Sequence, residues 1–278
     1  MEEKSKSSII SLFGLGFVKA LFNISYFGRQ VISGKADSGV TFDHVYLNQS
    51  KGYFPVFGKI VDRIILNLPS LEATRARWRY ISDQVVELAP EVTRDCGALR
   101  IIDLASGASR YLVDLAKLIT RYGLECVCVD RDREAIYLGK KISNPNYFRY
   151  CRSNLFASRR LLKFGLNRDW RPQIAVATGF IEYLDEEFLT VLLENLHNFL
   201  VEGGYLIIST QIKNPSQRLM EGICRTNDGK PWKLFYREPR FIRTVLESHG
   251  FLVTKIHIDK LGMYSIFTAQ SLPVKKKS

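Results

Sequence analysis

Two carboxylates, Asp103 and Asp130, each stand at the end of a hydrophobic run, and a small-residue loop follows the first. Leu99-Arg-Ile-Ile-Asp-Leu-Ala-Ser-Gly-Ala-Ser-Arg-Tyr111 reads as a buried strand, an acidic strand end, a tight turn and the first turn of a helix. Glu125-Cys-Val-Cys-Val-Asp130 repeats the strand and its terminal acid. This is how a doubly wound α/β sheet holds an adenosine-containing cofactor at the carboxyl ends of its strands. Gly107 lets the backbone approach the ligand, and the helix beginning near Arg110 and Tyr111 offers unpaired N–H groups to a ligand carboxylate. Asp103 can hold the loop or accept from a ligand ammonium, and Asp130 can accept from both ribose hydroxyls. Arg131 beside it keeps a 2′-phosphate reader open as an alternative. Past the third strand, Asn154 and Leu155 fall where an adenine amino group needs a polar acceptor. Past the fourth, Thr178 faces the reacting group.

The loop register separates two cofactor chemistries. Dinucleotide folds use Gly-x-Gly-x-x-Gly, whereas S-adenosylmethionine folds use Asp-x-Gly-x-Gly-x-Gly. Here Asp103-x-Ala105-x-Gly107-x-Ser109 follows the second register with two glycines replaced. Ala105 needs a backbone that tolerates a Cβ, and Ser109 stands at a helix start, where serine is a good capping residue. Methyl transfer from a sulfonium requires in-line alignment and, for a neutral acceptor, removal of a proton. Glu182, Tyr183 and Tyr46 are the candidate helpers; His197, inside a helical stretch, reads as a packing residue. Thr178-Gly-Phe-Ile181 is not the Asp/Asn-Pro-Pro-aromatic loop of exocyclic-amine methylation, and there is no Pro-Cys nucleophile for a cytosine-C5 mechanism.

The elements that must position these residues alternate from Leu99 onward. Strands are expected at Leu99–Asp103, Glu125–Asp130, Asn146–Ser153, Gln173–Thr178, Tyr205–Gln211, Phe251–Ile258 and Tyr264–Leu272, with helices at about Arg110–Tyr122, Arg131–Ile142, Glu186–Leu200 and Glu238–His249. Strand–helix alternation implies a parallel sheet. Only Asp259–Met263 separates the last two strands, too few residues for a crossover, so they must pair as an antiparallel hairpin. The expected fold is a Rossmann-like α/β sheet of seven strands, at residues 96–278. Residues 1–95 lack strand alternation and read as a helical extension, with helices from Pro55 to Leu66 and from Pro69 to about Leu88, ending near Pro90.

Composition bounds the partners. The chain of 278 residues carries a net charge of +12, which favours anionic partners: nucleic acid or acidic lipid headgroups. Lys213 to Arg243 holds net +5 with Trp232, Phe235 and Tyr236 interleaved, suited either to an anionic acceptor or to RNA. Five cysteines, an odd number without zinc spacing, point to a reducing, cytoplasmic setting, and four scattered histidines give no metal site. Ile9–Ile24 is apolar but too short and interrupted to span a bilayer, which takes about 20 residues. It either packs on the core or lies on a membrane surface.

The core from Leu99 to Leu272 resembles class I S-adenosylmethionine-dependent methyltransferases. The segment Asp37-Ser-Gly-Val-Thr-Phe-Asp-His-Val-Tyr-Leu-Asn-Gln49, with Gly58, Asp62-Arg63 and Asn67, is similar to a narrower bacterial family that also occurs fused behind an α/β-hydrolase domain. Its loop reads about Asp-x-Ala-x-Gly-x-Gly-Arg-Tyr, matched here by Asp103, Ala105, Gly107, Arg110 and Tyr111, with departures at Ser109 and at Asn154, where an aspartate is usual. The resemblance implies that Asp103, Gly107 and Asp130 are cofactor residues and that Tyr46 and Asn48 lie on a segment closing over the site. The function expected is a methyltransferase acting on a small-molecule or lipid-like, anionic acceptor. An RNA-directed methyltransferase and a non-catalytic relative are the alternatives, with a nicotinamide dehydrogenase more distant.

Overall fold

In the computed structural model, residues 16–54, 56–94, 97–155 and 169–273 are described. Residues 9–15 of the apolar stretch expected to pack on the core or lie on a membrane surface are outside the described residues. The chain forms two compact units. One comprises residues 1–75 and 214–233, and the other residues 76–213 and 234–278. The division therefore falls inside a helix and lends the first unit an insertion, whereas the sequence reading places it at 95/96.

The second unit is built on a sheet in the order β3-β2-β1-β4-β5-β7-β6. Its strands are β1 (Arg100–Leu104), β2 (Glu125–Asp130), β3 (Phe148–Arg152), β4 (Ile174–Ala177), β5 (Tyr205–Gln211), β6 (Phe251–Ile258) and β7 (Tyr264–Ser271). β1 to β5 pair in parallel, while β7 runs antiparallel to both β5 and β6. Every residue of β4 and β5 is buried, which is why β4 and the first four residues of β5 read as continuous apolar runs rather than alternating ones. The terminal hairpin closes over Asp259, whose carboxylate accepts from the backbone N–H groups of Leu261, Met263 and Tyr264.

Helices follow their apolar spacing and their caps. In α5 (Arg110–Ile119), Tyr111, Leu112, Leu115 and Ile119 are buried on one face. Asp132 caps α6 (Arg133–Ile142) through the N–H groups of Glu134 and Ala135, so that helix begins two residues later than Arg131. Asp185 likewise caps α7 (Glu186–Phe199) through Phe188 N–H, and α9 is Pro239–Ser248. α4 (Pro69–Val92) runs through Pro90 instead of ending before it. The missing N–H removes one bond in its last turn, where Thr93 Oγ1 donates to Ala89 O at 2.7 Å.

The first unit holds a helical segment at residues 16–24, then α1 (Tyr26–Ile32), α2 (Gly39–Leu47), α3 (Phe57–Leu66) and, in the insertion, α8 (Gln217–Ile223). Its hub is Asp62, fully buried on α3. That carboxylate accepts from Ser25 Oγ at 2.6 Å, Phe27 N–H at 2.8 Å and Lys51 N–H at 2.8 Å, and lies 3.0 Å from His44 Nε2. Gly58 is required here, since a Cβ would stand 2.8 Å from Ile24 O.

Candidate functional site

The carboxyl end of β1 turns through Ala105, Gly107 and Ser109, all with positive φ of 51°, 56° and 52°. Three left-handed residues alternate over five positions, the geometry a glycine-rich loop would adopt, here with two side chains present. Ser106 N–H bonds Val129 O, and Ser109 N–H bonds Ser106 O. The loop is thereby tied to β2 and to itself.

Two carboxylates fix it further. Asp130 accepts from Gly107 N–H through Oδ2 and from Asp132 N–H through Oδ1, each at 2.7 Å. It joins the two strand-end turns, a role the sequence reading did not assign to it. Each oxygen keeps acceptor capacity beyond that bond. Burial raises the Asp130 carboxyl above its usual range, opposed by the Asp132 and Gly107 N–H groups. Asp103 is deeper. Burial pushes it up to about 7, against the hydroxyls of Ser109 and Tyr111, with the charge of Asp130 adding to the rise. Ser109 Oγ donates to its Oδ2 at 2.5 Å. Tyr111 Oη faces the same carboxyl without reaching full hydrogen-bond geometry, so Asp103 Oδ1 and Tyr111 Oη remain unpaired in the interior.

Ser109 thus departs from the expected capping role. It holds the N-cap position, but its side chain makes no cap bond to the helix; the left-handed backbone turns it toward Asp103. Arg110 is half-buried beside Asp114 at 3.9 Å. Arg131 is half-buried, Asn154 is exposed and Leu155 belongs to the buried core.

At the end of β4, Thr178 and Tyr183 are half-buried, while Glu182 is buried. Arg77 Nη1 of α4 lies 3.7 Å from Glu182 Oε1, and its guanidinium sits 4.6 Å over the Tyr264 ring. Arg237 is also buried and donates to Ile181 O and Leu184 O, fixing the turn that carries Glu182. Neither Glu182 oxygen closes a hydrogen bond. Burial raises its carboxyl, opposed by Arg77, its own N–H and Arg237. Arg77 and Arg237 were not singled out from the sequence. Arg77 stands in Arg75-Ala-Arg-Trp-Arg79, where nothing local marks one arginine as internal.

Several expected residues have other settings. Tyr46 is half-buried on α2 in the first unit, where Asn48 is the left-handed cap. His197 lies against Leu272 O at 3.0 Å and edge-on to Phe251, a packing role as expected. The 213–243 stretch is not one solvated basic patch: Arg237 is internal, and Trp232 is buried edge-on to Phe42. Among the described residues, no His/Cys/Asp/Glu group could hold a metal ion.

Residues 26–271 match the family described as "Putative methyltransferase". The chain belongs to that family. It is 26% identical over 242 residues to the uncharacterized protein YnbC of Escherichia coli, and the match covers 84% of this chain but only 40% of that relative. Two solved structures share the fold. A Bordetella parapertussis structure, described as a possible exported protein, has a TM-score of 0.63 at 16% identity, over 85% of this chain and 80% of that one. The magnesium protoporphyrin IX methyltransferase of Synechocystis, solved with S-adenosylhomocysteine, has 0.56 at 13% identity, over 87% and 99%. The seven-stranded sheet with its terminal hairpin is therefore the methyltransferase sheet.

The residues at the β1 and β2 ends fit S-adenosylmethionine. The left-handed loop brings backbone toward the carboxyl edge of the sheet, Asp103 keeps an unpaired oxygen for an ammonium, and Asp130 keeps acceptor capacity for hydroxyls.

Proposed function

We propose that the chain transfers a methyl group from S-adenosylmethionine to a small-molecule or lipid-like acceptor bearing negative charge. The observation that carries the reading is the turn at 105–109, left-handed at three positions and held between Asp103 and Asp130. The cofactor supplies an electrophilic methyl on a cationic sulfur. Asp130 receives the ribose hydroxyls, Asp103 the ammonium, and the N–H groups opening α5 the carboxylate, with Ala105, Arg110, Tyr111, Arg131, Asn154, Leu155 and Thr178 around them. Glu182 takes the acceptor's proton. A carboxyl raised by burial, with neither oxygen closing a hydrogen bond, suits a base working near neutral pH. Tyr183 orients the acceptor.

The anionic acceptor is supported by the net charge of +12. An RNA acceptor is disfavoured, because Arg237 and Trp232 of the basic stretch serve internal contacts. Calorimetry with S-adenosylhomocysteine tests the cofactor reading: no binding at millimolar ligand would end it. Release of S-adenosylhomocysteine from S-adenosylmethionine in the presence of lipid or aqueous metabolite fractions then tests transfer. A fraction-dependent release is expected from the parent, with a loss of about a hundredfold in Glu182→Gln at unaltered cofactor affinity.

A further inference from the structure

Helix α3 has two apolar faces and uses one. Gly58, Val61, Ile65 and Leu66 are buried around Asp62. Phe57, Ile60 and Ile64 point outward, 60%, 51% and 62% exposed. Their spacing of three and four residues puts them on a single face. The preceding turn adds Tyr53, Phe54 and Val56, all exposed. Isolated exposed apolar side chains are ordinary, but six large ones contiguous in one turn and one helix face mark an interaction surface.

The charge around this surface has one sign. Between His44 and Leu71 the chain carries Lys51, Lys59, Arg63 and a single acid, Asp62. Asp62 is fully buried, whereas the three cations are exposed. Lys59 and Arg63 alternate with Ile60 and Ile64 along the helix, and the guanidinium of Arg29 lies 4.4 Å over the Tyr53 ring. A neutral apolar partner would strip water from three cations and return no counter-charge. Anionic headgroups return it, while aliphatic stems and aromatic rings settle at the acyl boundary with their polar ends in the headgroup layer.

We propose that the face formed by residues 53–64 docks this chain on an anionic lipid bilayer. The inference stands apart from the cofactor site and differs from the contact anticipated at residues 9–24. Among the described residues no helix is long and apolar enough to cross a membrane, so the docking is at the surface.

Co-sedimentation of the full chain with vesicles tests it, comparing phosphatidylcholine alone with phosphatidylcholine containing phosphatidylglycerol. Binding is expected only with phosphatidylglycerol, weakening as salt rises. The doubly substituted Ile60→Ser/Ile64→Ser and Lys59→Glu/Arg63→Glu proteins should each lose about tenfold in vesicle affinity. Their melting temperature and S-adenosylhomocysteine affinity should stay at the parent's values, because all four side chains are exposed. Equal binding to both vesicle types, or to neither, overturns the proposal. So does undiminished binding by both variants, which would move the contact elsewhere in the chain. A mass that doubles with concentration and is restored to monomer by Ile60→Ser/Ile64→Ser would assign the face to a second copy instead.

Discussion

Ser109 Oγ donates to Asp103 Oδ2 at 2.5 Å from a backbone held at φ 52°. The serine keeps the left-handed turn of the glycine it replaces and adds a hydrogen bond to a buried carboxylate of the site. A left-handed non-glycine residue costs about 1–2 kcal/mol, and a bond to a charged group contributes about 1.5–3 kcal/mol. The two are comparable, which is why the departure from glycine is tolerated.

Substitution at this position separates the two effects. Ser109→Ala keeps the backbone cost and loses the bond. Ser109→Gly loses the bond but relieves the backbone. The glycine variant should therefore be more stable than the alanine variant by about 1 kcal/mol, read from urea midpoints at pH 8, where Asp103 is ionised. An alanine variant as stable as the glycine one would mean that the turn at 109 is not left-handed.

Asp103 gives the chain a pH signature. Its folded value, about 7, lies above the unfolded carboxylate range near 4. Between these values the folded state binds more protons than the unfolded one, so this group's contribution to stability falls as pH rises and levels off above about 7. Asp103→Asn should flatten that slope in denaturation from pH 4 to 8. Ligand binding should run the other way: an ammonium favours the ionised carboxylate, so S-adenosylhomocysteine affinity should rise toward pH 7 by at most about tenfold per unit. Calorimetry in buffers of different ionisation enthalpy should detect the released proton below pH 7. No released proton would mean that Asp103 does not meet the ammonium.

Much of this site was readable along the chain, and the reason is local. A buried parallel strand must be apolar, and its carboxyl end must turn within a few residues, so strand, acid and small loop appear consecutively at 99–111 and 125–130. The hairpin was equally readable, since Asp259–Met263 leaves no room for a crossover. What the chain did not reveal are partners distant in sequence: Glu182 with Arg77, Asp62 with Ser25 and His44, Arg237 with the turn at 181–184. Pro90 misled because a proline in a last turn forfeits one bond, too little to end a helix otherwise packed along its length.

Asp130 combines two roles that substitution can divide. Asp130→Ala removes acceptors from Gly107 and Asp132 N–H as well as from the ribose, so cofactor affinity should fall by about 1.5–3 kcal/mol together with a loss of stability. Asp130→Asn keeps one acceptor oxygen and should retain more of both. Affinity unchanged in Asp130→Ala would mean that the ribose is bound elsewhere.

Asp62 predicts where the first unit fails in acid. Burial pushes its carboxyl up, but His44, Ser25 and the N–H groups of Lys51 and Phe27 outweigh it and hold the value below the usual range. A depressed folded value contributes stability that is present above the unfolded value near 4 and is lost as pH falls through the folded one. Asp62→Ala orphans four partners and should cost about 3–5 kcal/mol. In the parent, the urea midpoint should begin to fall as pH drops below the unfolded value near 4, and Asp62→Ala should lessen that fall. A midpoint as sensitive to acid in Asp62→Ala as in the parent would contradict the hub role.

Arg77 and Glu182 test whether the buried pair serves stability or chemistry. At 3.7 Å without a hydrogen bond, the pair recovers little of the cost of dehydrating two charges. Arg77→Met should therefore be strongly destabilising, by about 3–5 kcal/mol, because it removes the cation that most opposes the burial of Glu182 and leaves only Arg237 near it. Adding Glu182→Leu should restore most of that loss, since an apolar pair of similar volume replaces the ions. If the double variant folds with near-parent stability and binds S-adenosylhomocysteine normally, yet no acceptor fraction supports methyl release, the pair is retained for the reaction. Were the double variant no more stable than Arg77→Met alone, the arginine's stacking on Tyr264 rather than its charge would be what the fold needs, and Glu182 would lose its claim to be there as a base.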